Sequence, residues 1–403
     1  VRSALPERSD RRSAVLAAAI LLVAAGVIVT IALGVGTMKD LEVYLLAGRR
    51  FAEGTGLYGE HFGQALSTPL PYTYPPMWAA AMALVSWLPW SWVSVAWTLA
   101  DLALLCWVVR ISYARFLDRL GGRRWLAWAC LVAVCGLTAP VLSVFDLGQI
   151  GIVLMALVLA DTMPRSTRLP RGVLVGVATA IKLLPGVFVL YWAVTKRWRA
   201  VAIASATTVG LWGVTALLRP GTSGTYWFQI AIHPERAGDA GDVFNQSLNG
   251  LLQRVGWTST AVWAALAMAV LVVGLRRARE AHLAGDELTA VSLVALAGVL
   301  VSPISWVHHA VWIVPVTGVL LGDGRTRGRW IAWGATMLVF LADVPLWGRA
   351  GVPLGGFVRV LAENAFVLVS VALLVLLPID APDDERIALP DLGPAEHATP
   401  AHA

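Results

Sequence analysis

The run at residues 14–35, "AVLAAAILLVAAGVIVTIALGV", limits what this chain can fold into more than any other feature. About 20 consecutive apolar residues are what a helix needs to cross a bilayer. In hydrocarbon every backbone N–H and C=O must be paired within the protein, which leaves a helix as the only form for such a run. The run is not isolated. Further apolar stretches lie at 76–90, 92–111, 125–141, 148–162, 172–193, 200–218, 258–275, 288–302, 305–321, 330–347 and 355–378. Of 403 residues, 58% are hydrophobic and only 14% are charged, a balance outside the range of soluble domains. The expected class is an all-α polytopic membrane protein with about 10–12 transmembrane helices. A β-barrel would show short alternating segments instead.

Arg2, Arg8, Arg11 and Arg12 precede the first run. That run is too long for a signal-peptide core and no small-residue cleavage site follows it, so it reads as a retained anchor. Basic loops stay in the cytoplasm, which predicts a cytoplasmic N-terminal tail at 1–13. The same rule puts "GLRRARE" (274–280) and "GDGRTRGRW" (322–330) inside. It then places loop 36–75, loop 219–257 and "SPISWVHH" (302–309) together on the outer side. The middle of the chain conflicts with this. With twelve spans, the basic stretches 110–124 and 164–172 fall outside, so one run between 76 and 193 is expected to be broken or re-entrant. The Pro-rich, acidic tail 379–403 reads as disordered. The formal charge of +6 follows from the loop rule and does not point to nucleic acid. Cys106, Cys130 and Cys135 lack metal-ligand spacing, and neither a metal nor another cofactor is expected.

Five places break the apolar pattern. Loop 36–75 carries Asp40, Glu42 and Tyr44 on an amphipathic segment, "LEVYLLAGRRFAEG", that reads as a surface helix. It leads through "PLPYTYPPMW", with Tyr74, into the next apolar run. Asp40 is either a helix-start acid favoured by the dipole or a catalytic base. Glu42, two residues on, reads as solvated. In "FDLGQIGI" (145–152), Asp146 and Gln149 stand at membrane depth or its boundary, where polar residues default to function; the alternative is Asp146 as an N-cap. In "AIKLLPG" (180–186), Lys182 snorkels or meets an anion, and Pro185 breaks the helix beside it. In "DVFNQSLNGLLQR" (242–254), Asn245 and Gln246 offer amides suited to sugar hydroxyls. In "SPISWVHHAVWIVP" (302–315), His308 and His309 point about 100° apart on a helix, so one is expected in the site and the other in packing. No Walker loop, Rossmann glycine pattern or nucleophile elbow is present, so a soluble nucleotide-sugar donor lacks support.

Six of these motifs, "KDLEVYLLAGRRFAEGTGLYG", "PLPYTYPPMWA", "FDLGQI", "GVATAIKLLPG", "FNQSLNG" and "SPISWVHHAVWIVP", stand in an order and spacing that resembles glycosyltransferase family 87. The resemblance implies the GT-C fold, with a catalytic domain at 14–378 and a large first external loop containing surface helices. It implies a plasma-membrane enzyme that moves mannose from polyprenyl-phosphate mannose to a phosphatidylinositol mannoside or lipomannan-type glycolipid, forming an α-1,2 linkage by inversion. By position, Asp40 matches the general base. His308, His309 and Lys182 match residues near the donor phosphate, and Gln149 matches the "GQ" motif. Tyr44, Tyr74, Gln149, Asn245 and Gln246 are expected sugar or acceptor contacts. Family members often carry Asn where this chain has Gly151, which leaves a sugar contact at that turn open. Transfer of another polyprenyl-phosphate sugar, such as arabinofuranose, is the alternative within the class. A transporter of lipid-linked sugars is the alternative outside it, and would show related halves with matching broken helices.

Overall fold

The computed structural model describes residues 8–35, 38–59, 62–163 and 168–380. Of the tail expected at 379–403, residues 381–403 lie outside them, as do residues 1–7, while Asp380 is held by Arg115 and Arg329. Residues 8–13 are already helical, as the first helix, α1, spans Arg8–Thr30. The chain then runs between two ends of a helical bundle. At the exit of α1 it forms α2 (Lys39–Glu53) and α3 (Pro76–Ala83), and α4 (Trp90–Ser112) takes it to the opposite end. There α5 (Ala114–Arg119) turns into α6 (Arg124–Gly136) and α7 (Ala139–Leu147), which return it. Helices α8 (Gly151–Thr162), α9 (Val173–Ile181), α10 (Val187–Val194) and α11 (Trp198–Leu218) follow. A long excursion holds α12 (Pro220–Thr225) and α13 (Leu248–Arg254). The last passes are α14 (Thr260–Leu283), α15 (Glu287–Val301), α16 (Ile313–Leu321) and α17 (Arg327–Leu341), then the bent pair α18 (Gly356–Glu363) and α19 (Ala365–Leu376).

Two sets of contacts identify the ends. At one, Arg115 pairs with Asp286 at 3.3 Å and with Asp380 at 2.9 Å, and Arg329 also holds Asp380 at 2.9 Å. Arg119 donates to the Asp323 carbonyl, and Arg197 pairs with Glu287. The basic stretches 110–124, 194–199, 274–280 and 322–330 are therefore on the same side. At the other end, Met38 N donates to the Asp146 carbonyl and Arg219 to the carbonyls of Phe51 and Ala52. Arg236 reaches the Tyr58 carbonyl there, and Gln246 reaches that of Glu363.

This arrangement corrects the expected span list in two ways. The run 76–90 is not a crossing. Its helix, α3, has eight residues and packs on α2, and the first pass after the loop starts at Trp90. The loop expected at 36–75 thus continues to Pro89. Removing that span puts 110–124 on the side of the other basic segments, and the break in 172–193 at Lys182, which reaches Tyr74 at the site end before α10 returns to Arg197 at the basic end, keeps 194–199 there as well. Second, the apolar runs divide between long helices and short ones. Among the described residues, four helices are long and apolar enough to cross a membrane alone, and up to six if each bent pair is one span. The remaining apolar sequence lies in shorter helices, at Gly151–Thr162, Leu184–Val194, Glu287–Val301 and Val307–Leu321.

The short helices have a local cause. Helix α9 stops at Ile181 because Pro185 has no N–H to give the Ile181 carbonyl and its ring would clash there. Lys182 is accordingly extended, at φ −146° and ψ 133°. Helix α8 starts only after the turn 148–150, and α16 only after the 3₁₀ turn Val307–Trp312. Irregular backbone at membrane depth is tolerated only where protein or a cavity satisfies it. Three such breaks on neighbouring elements mark one place in the bundle.

Candidate functional site

That place lies beneath α2. Seven residues of α2 are buried, including Leu41, Tyr44, Ala47 and Gly48, so it is more covered than a helix floating at a surface. Close approach on both sides depends on missing side chains. A Cβ on Gly48 would sit 2.6 Å from the Met82 backbone of α3. Gly148, at φ +66°, ends α7 in the left-handed region, and a Cβ there would meet Leu41 at 2.7 Å. Asp146 stands near the C-terminal end of α7, so it is not an N-cap. Its carbonyl accepts from Met38 N, which pins the start of α2 to this turn.

Asp40 occupies the first turn of α2 and Tyr44 follows on the same face. The Gln149 side chain neighbours the Asp40 carboxylate and acts on it as a hydrogen-bonding group that lowers its pKa. Its Oε1 accepts from the hydroxyls of Tyr44 at 2.9 Å and Tyr74 at 3.0 Å, which lie 2.8 Å from each other. Lys182 Nζ donates to the Tyr74 hydroxyl at 3.1 Å and lies 2.8 Å from His309 Nε2. A charged ammonium can only donate, so His309 Nε2 accepts and its proton is on Nδ1. The His308 ring stands edge-on to that of His309, with centroids 4.6 Å apart. Asp40, Gln149, Tyr44, Tyr74, Lys182 and His309 thus form one polar chain drawn from five segments.

Burial raises the Asp40 pKa above the usual carboxylate value, and the nearby Asp146 adds to this. The Gln149 hydrogen bond and the charges of Lys39 and Lys182 oppose it. A buried carboxylate with a raised pKa is a candidate general base. At the other end of the chain, buried polar atoms lack protein partners. His308 Nε2 and His309 Nδ1 are both unpaired. His309 lines a cavity together with Lys182, Leu154, Leu184, Phe188 and Trp312. Apart from Lys182 and His309, its walls are apolar, and its volume of about 30 Å³ leaves room for a water-sized group beside them.

Several expected contacts are placed differently. Tyr44, Tyr74 and Gln149 are 1%, 9% and 5% exposed and bond one another, so they are internal to the site rather than open sugar contacts. Asn245 and Gln246 are not in the site. Asn245 donates to the carbonyls of Ala240 and Pro303 and accepts from Ser305 N at 2.8 Å. Gln246 donates to the Val243 and Glu363 carbonyls and accepts from Val367 N. Their amides fasten loop 219–257 to the segments 302–305 and 363–367. Glu42 is not merely solvated: it accepts from Ser67 Oγ at 2.6 Å and Ser67 N at 3.1 Å and so closes the loop back on α2. Trp78 and Trp97 pack at 5.6 Å and 6.2 Å from Tyr44, with buried, unpartnered indole nitrogens, and sequence reasoning did not single them out. The one available signal was Trp78 closing "YTYPPMW". Among the described residues, no three His, Cys, Asp or Glu side chains come together as a metal site.

Residues 72–303 match the model of glycosyltransferase family 87. The chain is 36% identical over 301 residues to a polyprenol-phosphate-mannose-dependent α-(1-2)-phosphatidylinositol mannoside mannosyltransferase of Mycolicibacterium smegmatis, covering 69% of this chain and 68% of that one. It is 34% identical over 304 residues to the Mycobacterium tuberculosis protein of the same name, covering 70% and 69%. A polyprenol-phosphate-mannose-dependent α-(1-2)-phosphatidylinositol pentamannoside mannosyltransferase of M. smegmatis is 34% identical over 311 residues, covering 75% and 74%. No solved structure matches the chain. With more than half its length on the family model and relatives above 30% identity over two thirds of both chains, this membrane protein belongs to glycosyltransferase family 87 and is a glycosyltransferase.

Proposed function

We propose that the chain transfers mannose from polyprenyl-phosphate mannose to a phosphatidylinositol mannoside, forming an α-1,2 linkage at the outer face of the plasma membrane. The observation that carries this reading is the single polar chain from Asp40 to His309, with a carboxylate at one end and a cation beside an apolar cavity at the other. The donor and acceptor follow from the activities by which the relatives are named. Relatives with two different acceptor names match about equally, so the acceptor is assigned only as a phosphatidylinositol mannoside.

In this mechanism an acceptor hydroxyl oxygen attacks the anomeric carbon as Asp40 takes its proton. The bond from that carbon to the phosphate oxygen breaks, and its electron pair leaves with the polyprenyl phosphate. The sugar passes through an oxocarbenium-like state, as in glycoside hydrolysis. Lys182 stabilises the charge that builds on the phosphate. The His309 Nδ1–H is a second donor there, and Leu154, Phe188 and Trp312 give that side of Lys182 an apolar surface. Displacement from one face inverts the anomeric centre, so a β-linked donor gives an α product. A phosphate leaves without protonation, so one carboxylate is enough. The clustering of basic segments at the end opposite the site supports cytoplasmic termini and an extracytoplasmic site.

The test is transfer of labelled mannose from polyprenyl-phosphate mannose in membranes containing the protein. Asp40→Asn is expected to lower turnover by about 10²–10⁴-fold, the usual contribution of a positioned base. Near-normal turnover in a normally inserted variant would remove Asp40 as the base. A panel of phosphatidylinositol mannosides of increasing length then identifies the acceptor.

A further inference from the structure

Gln149 is 5% exposed and meets both Tyr44, on the helix of Asp40, and Tyr74, which receives the Lys182 hydrogen bond. Its chemistry is fixed by its neighbours. The Lys182 ammonium donates to the Tyr74 oxygen, which leaves the Tyr74 proton free to go to Gln149 Oε1. Tyr44 approaches the same oxygen at 2.9 Å. Burial pushes the Tyr44 phenol well above its ordinary pKa, so it stays protonated and able to donate. With its oxygen taken by two phenols, the N–H₂ is the part of the amide left to act on the neighbouring Asp40 carboxylate, which can only accept when ionised. Packing keeps the phenols in place: the Tyr44 ring is edge-on to Tyr74 at 5.2 Å and to Trp78 at 5.6 Å.

From this geometry we infer that Gln149 is a positioning residue: its amide, held by Tyr44 and Tyr74, orients the Asp40 carboxylate and ties that orientation to the Lys182 end of the site. The role assigned to Gln149 is therefore not contact with a sugar. The inference rests on Asp40 being the base. The Gln149 amide holds one carboxylate oxygen, leaving the other for the acceptor proton. Because Tyr74 is shared, an anion that draws Lys182 away from the Tyr74 hydroxyl alters the same hydrogen-bond chain that holds the base.

The experiment compares Gln149→Leu, Tyr44→Phe and the double variant Asp40→Asn/Gln149→Leu in the labelled-mannose assay, each checked for membrane insertion. Tyr44→Phe keeps the ring packing and so remains informative if Gln149→Leu fails to fold. Gln149→Leu is expected to lower kcat by roughly 10- to 100-fold, the range for losing a hydrogen bond to a charged group. The KM for each substrate should stay within about 2-fold, as expected when no ground-state contact is lost. The acid limb of its kcat/KM profile should move to higher pH, because the ionised carboxylate has lost a donor. Tyr44→Phe should move both quantities the same way by less. Combined with Asp40→Asn, Gln149→Leu should cost nothing further, since both act through one group. A raised KM for one substrate with an unmoved acid limb would overturn the inference in favour of a sugar contact. Full additivity in the double variant would overturn it as well. If Asp40→Asn alone is near normal, the base assignment has failed instead.

Discussion

At the scale of single residues, the site depends on opposing effects on one carboxylate. Burial raises the Asp40 pKa, while Gln149, Lys39 and Lys182 pull it back. Catalysis by a base requires the ionised form. The kcat/KM profile should therefore rise with pH through a value above that of a free aspartate and lose its activity as pH falls below it. Lys182→Met removes a favourable charge, so the acid limb should move further toward neutral pH while kcat falls. An acid limb that stays in place in Lys182→Met would show that Asp40 does not sense the lysine. Asp40 and Lys182 were both legible in sequence, because a charge next to or within an apolar run is costly and needs a reason. The tie between them was not. It passes through Tyr44, Tyr74 and Gln149, 30 and 105 positions apart from Tyr44, and no local pattern encodes it.

At the scale of elements, broken helices do what longer ones would not. A continuous helix through 173–194 would hide the backbone around Lys182 and carry its side chain along the helix face. Stopping α9 at Ile181 turns Lys182 into extended backbone at the cavity. Pro185 made the break legible. The loop clamps were not legible, because an Asn or Gln in a polar loop looks the same whether it faces sugar or backbone. Asn245→Ala would leave the Ser305 N–H and the Ala240 carbonyl without their side-chain partner. The expected cost is roughly 1–3 kcal/mol per orphaned buried group. Thermal unfolding in detergent should come earlier, while the KM of the folded fraction stays unchanged. A raised acceptor KM without loss of stability would return Asn245 to the site.

At the scale of the whole molecule, the ends of the bundle divide by charge. Arg115, Arg197 and Arg329 sit in ion pairs at one end, and the Asp40 site is at the other. With Cys106, Cys130 and Cys135 replaced by Ala, single Cys reporters at each end should label from opposite sides of sealed vesicles. Arg325→Cys and Arg123→Cys are expected to react together, and Arg236→Cys from the other side. Arg123→Cys reacting with Arg236→Cys would restore a crossing between 76 and 90. Twelve runs of apolar sequence could not reveal this alone, because hydropathy records that a segment avoids water. It does not distinguish a crossing helix from one buried on a neighbour, and α3 is of the second kind.

The sequence by itself determined the helical membrane class, the extended first loop, the helix break at Pro185 and the odd placement of Asp40, Lys182 and the His pair. These follow from local costs: burying charge, pairing backbone in hydrocarbon, and fitting proline into a helix. Only the tertiary structure decided that Gln149 and two tyrosines join the carboxylate to the lysine, that Asn245 and Gln246 serve the loop, and that 76–90 stays on one side. These depend on which segments pack together. That is set by shape, such as the missing side chains at Gly48 and Gly148, and by hydrogen bonds between residues far apart in the chain.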